Sequence, residues 1–176
     1  MKYLLTPAGI KHLQTFCLSH PLVALDFDGT LSKIVHNPAE AQMKECTWKL
    51  LSDLGHFSKV AIISGRGLDD LKGRINFFNG HLIGNHGLET ECIDEQQIQF
   101  YTAICDGWKK KLRELSKVAG IFIEDKKYSL AIHYRKCKNK HDTRMFIFDE
   151  ASKLHPSPRI ILGKSVVNLL PVGGSP

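Results

Sequence analysis

The sequence predicts an α/β fold, a parallel-sheet core carrying an inserted α+β subdomain, and three observations predict it. Two continuous apolar runs, "LVALDF" from Leu22 and "KVAIIS" from Lys59, flank a helical stretch, the pattern of parallel strands joined by a right-handed crossover. Beyond Gly87 the pattern changes to short alternating segments, as in antiparallel pairs. At 176 residues, 43% hydrophobic and 24% charged, the chain is long enough for one domain with an insertion and lies outside disordered composition.

Thr6-Pro7 reads as an N-cap and first-turn proline, followed by Ile10, Leu13, Phe16 and Cys17 at helical spacing. "LVALDF", bounded by Pro21 and Gly29, reads as a strand buried on both faces. "MKECTWKLLSDLG" is expected to be a helix with Trp48, Leu51 and Leu54 inward and Gly55 as its stop. A second buried strand ends at Ser64, a short helix covers "LDDLKG", and "HLIGNHG" gives a third strand.

In the insertion, "ETECIDEQQIQFY" reads as two short strands around an acidic turn, and "WKKKLRELSKVAG" as a surface helix closed by Gly120. "IFIEDKKYSLAIHYR" then alternates, with Lys127, Ser129, Ala131, His133 and Arg135 on one face of a half-exposed strand and Tyr128, Leu130, Ile132 and Tyr134 on the other. A helix around "DTRMFIFDEASKL" and strands at "RIILG" and "SVVNLLP" follow. The expected division is a core over residues 1–88, an α+β subdomain over 89–167, and a return to the core over 168–176. The closing "PVGGSP" reads as a turn toward an absent element, which leaves the core incomplete at the C-terminus.

The chemistry is concentrated where the first strand stops. Asp26 and Asp28 flank Phe27, so on an extended chain two carboxylates point the same way and repel. In open parallel sheets ligands bind beyond the carboxyl ends of the strands, where Asp26, Asp28, Thr30 and Ser64 project. A divalent, oxygen-seeking cation such as Mg²⁺ resolves the repulsion and keeps positions for phosphate and water. The Asp28-Gly29-Thr30 turn offers backbone N–H groups to an anion. A phosphate monoester suits such a seat, with Asp26 as nucleophile and Asp28 as general acid and base. Each residue also has a plainer reading. Ser64 before Gly-Arg can be a helix N-cap, His86 can simply sit in a left-handed turn, and Glu124 with Lys126, like His133 with Arg135, can be solvated strand pairs.

"DFDGTL", with "IISGR" at the end of the next strand, resembles the first two motifs of the haloacid dehalogenase superfamily of phosphatases. Within it, "GNHG", "EDKKYSLAIHYR" and "KSVVNLLP" resemble the trehalose-6-phosphate phosphatases, from about Leu22 onward. The resemblance implies a Rossmann-like parallel-sheet core of the haloacid dehalogenase type with an inserted α+β cap subdomain. It implies Asp26 as the nucleophile and Asp28 as the general acid and base, both holding Mg²⁺, Asp28 through its backbone carbonyl. Gly29, Thr30, Ser64 and Gly65 are implied to bind the phosphoryl oxygens. Arg66, Asn85, His86, Glu124, Lys126, His133, Arg135 and Asn168 are implied to recognise the sugar, with the insertion acting as a lid. The implied reaction is hydrolysis of trehalose 6-phosphate through an aspartyl-phosphate. Two departures accompany it: the family's late lysine and acidic pair are not reached, so this chain alone is expected to be slow or inactive, and Asn168 stands where the family places a glutamate. A phosphatase for another sugar phosphate such as sucrose-phosphate, or a non-catalytic binding remnant, are the alternatives.

The net charge of +6 fits an anionic small substrate, and no basic stripe interleaves with aromatics, so a small-molecule sugar phosphate is the expected partner and nucleic acid is not. Five cysteines without CxxC pairing fit a reducing cytoplasm rather than a disulfide framework or zinc site. No apolar run reaches membrane-spanning length, and the N-terminus lacks the apolar run of a signal peptide, so no membrane role is expected.

Overall fold

The computed structural model describes residues 5–35, 37–75 and 78–172. They fall into two compact units, residues 1–91 and 92–176.

In the first unit three parallel strands, β1 (Val23–Asp26), β2 (Val60–Ile63) and β3 (His81–Ile83), pair in the order β1-β2-β3. Leu25, Ile62 and Leu82 lie in one cross-strand row and join Leu51 of α2 (Glu45–Phe57) and Leu71 of α3 (Leu68–Arg74) in one hydrophobic cluster. Phe27, wholly buried, drives into the same cluster and thereby leaves its two aspartate neighbours outside. The strand–helix–strand reading therefore stands, with three corrections. β1 is an edge strand whose residues alternate between half-buried and exposed, so it is not buried on both faces. Gly55 does not stop α2, which runs on to Phe57 because Leu54 still packs on the core. The first helix, α1 (Pro7–Cys17), is capped by Thr6 as expected, yet its apolar stripe of Ile10, Leu13 and Phe16 is exposed.

The second unit is a four-stranded antiparallel sheet, order β4-β5-β7-β6, built from β4 (Phe122–Asp125), β5 (Leu130–His133), β6 (Arg159–Gly163) and β7 (Val166–Leu170). Leu130, Ile132, Val167 and Leu169 point to one face and cluster with residues of α4 (Glu95–Lys111) and α5 (Lys140–Ser152). The expected pair of strands at "ETECIDEQQIQFY" is instead the start of α4. Asp94 caps that helix by accepting from Gln97 N–H at 2.8 Å, and Tyr101, Ile104, Cys105 and Trp108 recur at helical spacing on its buried side. The expected surface helix from Trp108 is the end of α4 plus a 3-10 turn at Leu115–Lys117. The single strand expected over "IFIEDKKYSLAIHYR" is a hairpin, because Lys127 takes a left-handed φ of 66° and Lys126 N–H closes on Ser129 C=O at 3.0 Å. Residues 168–170, expected to return to the core, belong to β7 in this second sheet, and residues 173–176 of the closing turn lie outside the described residues.

Candidate active site

Three strand ends build the site in the first unit. Parallel register sets Asp26 beside Ile63 and Ile63 beside Ile83, so the segments after β2 and β3 leave from the same sheet edge as Asp26. The chain turns at once after Phe27: its carbonyl accepts from the N–H groups of Leu31 at 3.0 Å and Ser32 at 2.8 Å, and Gly29 N–H donates to Ser32 C=O at 2.8 Å. Gly29 carries φ +99°, which a side chain would resist, and Thr30 is exposed in the same turn.

Asp26 is pushed above the ordinary carboxylate value of 3.8, first by burial and also by the charge of Asp28, while the Phe27 N–H and the nearby His86 work the other way. Burial and a like charge together favour a neutral acid unless a cation intervenes. Asp28 is gripped by Arg66, whose Nε and Nη2 donate to its two oxygens at 2.7 Å each. Arg66 Nη1 also donates to Asp70 at 2.9 Å, and Nη2 to Pro38 C=O at 3.0 Å.

Ser64 is buried; its hydroxyl oxygen accepts from Arg66 N–H at 3.2 Å, which leaves its own proton for another acceptor. The plainer reading of Ser64 as a helix N-cap fails, because Gly67 caps α3. The Ser64 carbonyl accepts from His86 N–H at 3.0 Å and the Arg66 carbonyl from Asn85 N–H at 2.6 Å, which locks the two loops together. Asn85 and His86 both adopt left-handed φ, 50° and 56°. Gly65 permits this closeness: a Cβ there would lie 2.5 Å from the His86 ring.

Two residues with roles here are not among the sequence candidates. Glu89 is buried, accepts from Leu68 N–H, and lies 3.4 Å from Asn85 Nδ2, so it pins the Asn85-His86 turn against the start of α3. Asp70 joins Arg66 to Arg74, whose Nη1 donates to the carbonyls of Ala39 and Ala41. The four-residue spacing of 66, 70 and 74 is the signal that could have found it.

Asp70 is held below 3.8: burial alone would raise it, but hydrogen bonds from Arg74 and Arg66 outweigh that. A lowered carboxylate stabilises the fold above its ordinary pKa and loses that contribution as pH falls through the lowered value. The urea midpoint of Asp70→Asn is therefore expected to lie below wild type at pH 7 and to converge with it as the pH is taken progressively below 3.8. A constant gap across that range would refute the coupling.

In the second unit Glu124, Ala131, His133 and Asn168 share one face of the sheet, opposite the helices. His133 Nε2 meets Glu124 Oε2 at 2.8 Å. Lys126 and Arg135, expected on the same strands, lie in the flanking turns. Asn168 is buried and donates through Nδ2 to Ile161 C=O at 3.2 Å, so its amide is committed to the sheet.

Among the described residues no cluster of three or more His, Cys, Asp and Glu could hold a metal. The carboxylates of Asp26 and Asp28, next but one to each other in the chain, are a small set of hard oxygens. These donors fit a divalent cation that keeps much of its own water.

Residues 24–175 match the family model described as Trehalose-phosphatase. The chain is 30% identical over 158 residues to a trehalose-phosphate phosphatase of Mycolicibacterium paratuberculosis, covering 86% of this chain and 40% of that one. It is 32% identical over 157 residues to an uncharacterized glycosyl hydrolase of Mycobacterium tuberculosis, covering 86% of this chain and 12% of the relative. The chain thus spans well under half the length of these relatives. Among solved structures, the C-terminal domain of Candida albicans trehalose-6-phosphate phosphatase superposes with a TM-score of 0.69 at 23% identity, covering 85% of this chain and 56% of that one. A trehalose-6-phosphate phosphatase related protein gives 0.67 at 22% identity, covering 85% and 67%. The solved structures share the α/β fold of this chain, and a family match over most of its length shows the family: the chain belongs to the trehalose-phosphatase family.

Proposed function

We propose that this chain carries the phosphoryl-transfer centre of a Mg²⁺-dependent phosphatase that hydrolyses trehalose 6-phosphate to trehalose and phosphate. The observation that carries the reading is the meeting of Asp26, Asp28 and Ser64 at one sheet edge, with Asp26 raised by burial and by its neighbour. Mg²⁺ suits a site with few protein oxygens, and when bound it supplies charge neutralisation for the phosphoryl oxygens. Asp26 attacks phosphorus to give an aspartyl-phosphate. Asp28 protonates the leaving sugar oxygen and then takes a proton from the attacking water. Ser64 donates its hydroxyl proton, and Thr30 in the turn after β1 and Gly65 in the loop after β2 their backbone N–H groups, to phosphoryl oxygens, whereas the Gly29 N–H is spent on Ser32 C=O. In the first unit His86 is assigned to sugar recognition, where a disaccharide needs paired donors and acceptors rather than apolar surface, whereas Asn85, wholly buried against Glu89, holds the turn and does not meet the sugar.

A second reading, a different disaccharide phosphate such as sucrose-phosphate, is favoured by one observation: Asn168 spends its amide N–H on Ile161 and offers no carboxylate. Phosphate release from trehalose 6-phosphate, sucrose 6-phosphate and glucose 6-phosphate, with Mg²⁺ and with chelator, separates the two. The expected order puts trehalose 6-phosphate first by about tenfold or more, with activity lost in chelator. A preference for the monosaccharide ester, or chelator-resistant turnover, would overturn the assignment.

A further inference from the structure

We propose that the Asp28 carboxylate is a placeholder, seated on the Arg66 fork where a phosphoryl group belongs and expelled when phosphate arrives. Arg66 is fixed on every other side. Its guanidinium lies 5.5 Å from the centre of the buried Phe27 ring, Nη1 is held by Asp70, Nη2 by Pro38 C=O, and the side chain is only 11% exposed. The edge it gives to Asp28 is the Nε and Nη2 pair, which matches two oxygens of a carboxylate or of a phosphate equally well. Asp28 differs from its partner in freedom. It rides on the turn after β1 with 40% of its side chain exposed, so it can leave for water while Arg66 cannot.

A doubly charged phosphate competes for that edge with more charge than a single carboxylate, and it arrives beside Asp26, the residue next but one in the chain. The same guanidinium follows Ser64 by two residues and receives its own backbone support from the Ser64 hydroxyl oxygen. Ser64 and Arg66 are thus two donors of one turn aimed at one anion. Displacement also unlocks chemistry: both Asp28 oxygens are occupied by Arg66, and neither can serve a leaving group until the fork is vacated. Arg66, expected from the resemblance to read the sugar, is reassigned to the phosphoryl end.

The use of this exchange in turnover rests on the proposed function, but the seat itself is tested by inorganic phosphate alone, titrated calorimetrically into the chain in Mg²⁺ buffer at fixed ionic strength. Arg66→Gln is expected to weaken phosphate binding by about tenfold or more, and Arg66→Lys, which keeps the charge but not the fork, by a smaller factor. Asp28→Asn is expected to tighten it several-fold, and that gain is expected to vanish in the Arg66→Gln background, a coupling that loss of repulsion alone does not produce. Circular dichroism identifies any variant that unfolds, and the Arg66 Nε–H resonance of the wild type, assigned by its loss in Arg66→Lys, is expected to shift on adding phosphate. Wild-type affinity in folded Arg66→Gln, a gain from Asp28→Asn that persists without Arg66, or an unmoved Nε–H resonance at saturation would each overturn the exchange. A chain that binds phosphate through Arg66 yet prefers a monosaccharide ester, or turns over in chelator, supports the exchange and refutes the function.

Discussion

Asp26→Asn is expected to lower phosphate release by at least about 10³-fold while leaving the fold intact, because in the proposed mechanism it removes the attacking oxygen and it removes nothing that packs. Asp26 stands at the tip of an edge strand, on the exposed side of its alternation, and its carboxyl is raised by burial and by Asp28. Taking away that charge removes a repulsion, so the urea midpoint is expected to stay level or rise slightly. Steady-state phosphate release with parallel urea unfolding checks both halves. An amide variant retaining more than about a tenth of wild-type turnover would require another nucleophile.

The largest loss of stability is expected at Trp108→Ala, roughly 3–5 kcal/mol. Trp108 is fully buried in the cluster of the second unit, on α4, and its indole N–H donates to Pro156 C=O at 2.9 Å. Truncation removes the ring, leaves a cavity bounded by sheet and helices, and orphans a carbonyl. A loss of this size is a large fraction of the 5–15 kcal/mol typical of a whole domain. Trp108→Phe refills most of the space and loses mainly the hydrogen bond, so it is expected to cost about 1–2 kcal/mol. Equilibrium denaturation of both variants orders them, and equal losses would contradict the packing argument.

What the sequence made legible was chemistry that depends on neighbours in the chain. Asp26, Phe27 and Asp28 alternate, Gly29 turns and Ser64 closes the next strand, and short-range rules place them at one sheet edge. What stayed hidden depends on distance. Arg66 reaches Asp28 across 38 residues, and nothing local distinguishes a fork aimed at a carboxylate from one aimed at a sugar. Glu89 looks like the first of several acidic residues, although it is the one buried under the Asn85 turn. The error at α4 has a different cause. Ile98 and Phe100 alternate over too short a window to separate strand from helix, and the deciding pattern of Tyr101, Ile104, Cys105 and Trp108 runs across the break where two elements were expected. Burial on both faces of β1 was expected from its apolar run, but an apolar run does not say which strands sit at the margin of a sheet.

That marginal position has a cost in solution behaviour. Along Val23–Asp26 one row of main-chain donors and acceptors has no strand beside it among the described residues, and Leu22 and the stripe of α1 leave greasy surface in the same unit. Such a border invites a neighbouring molecule to extend the ladder. Because Asp26 terminates that border, a second copy pairing along it would cover the Asp26 carboxyl.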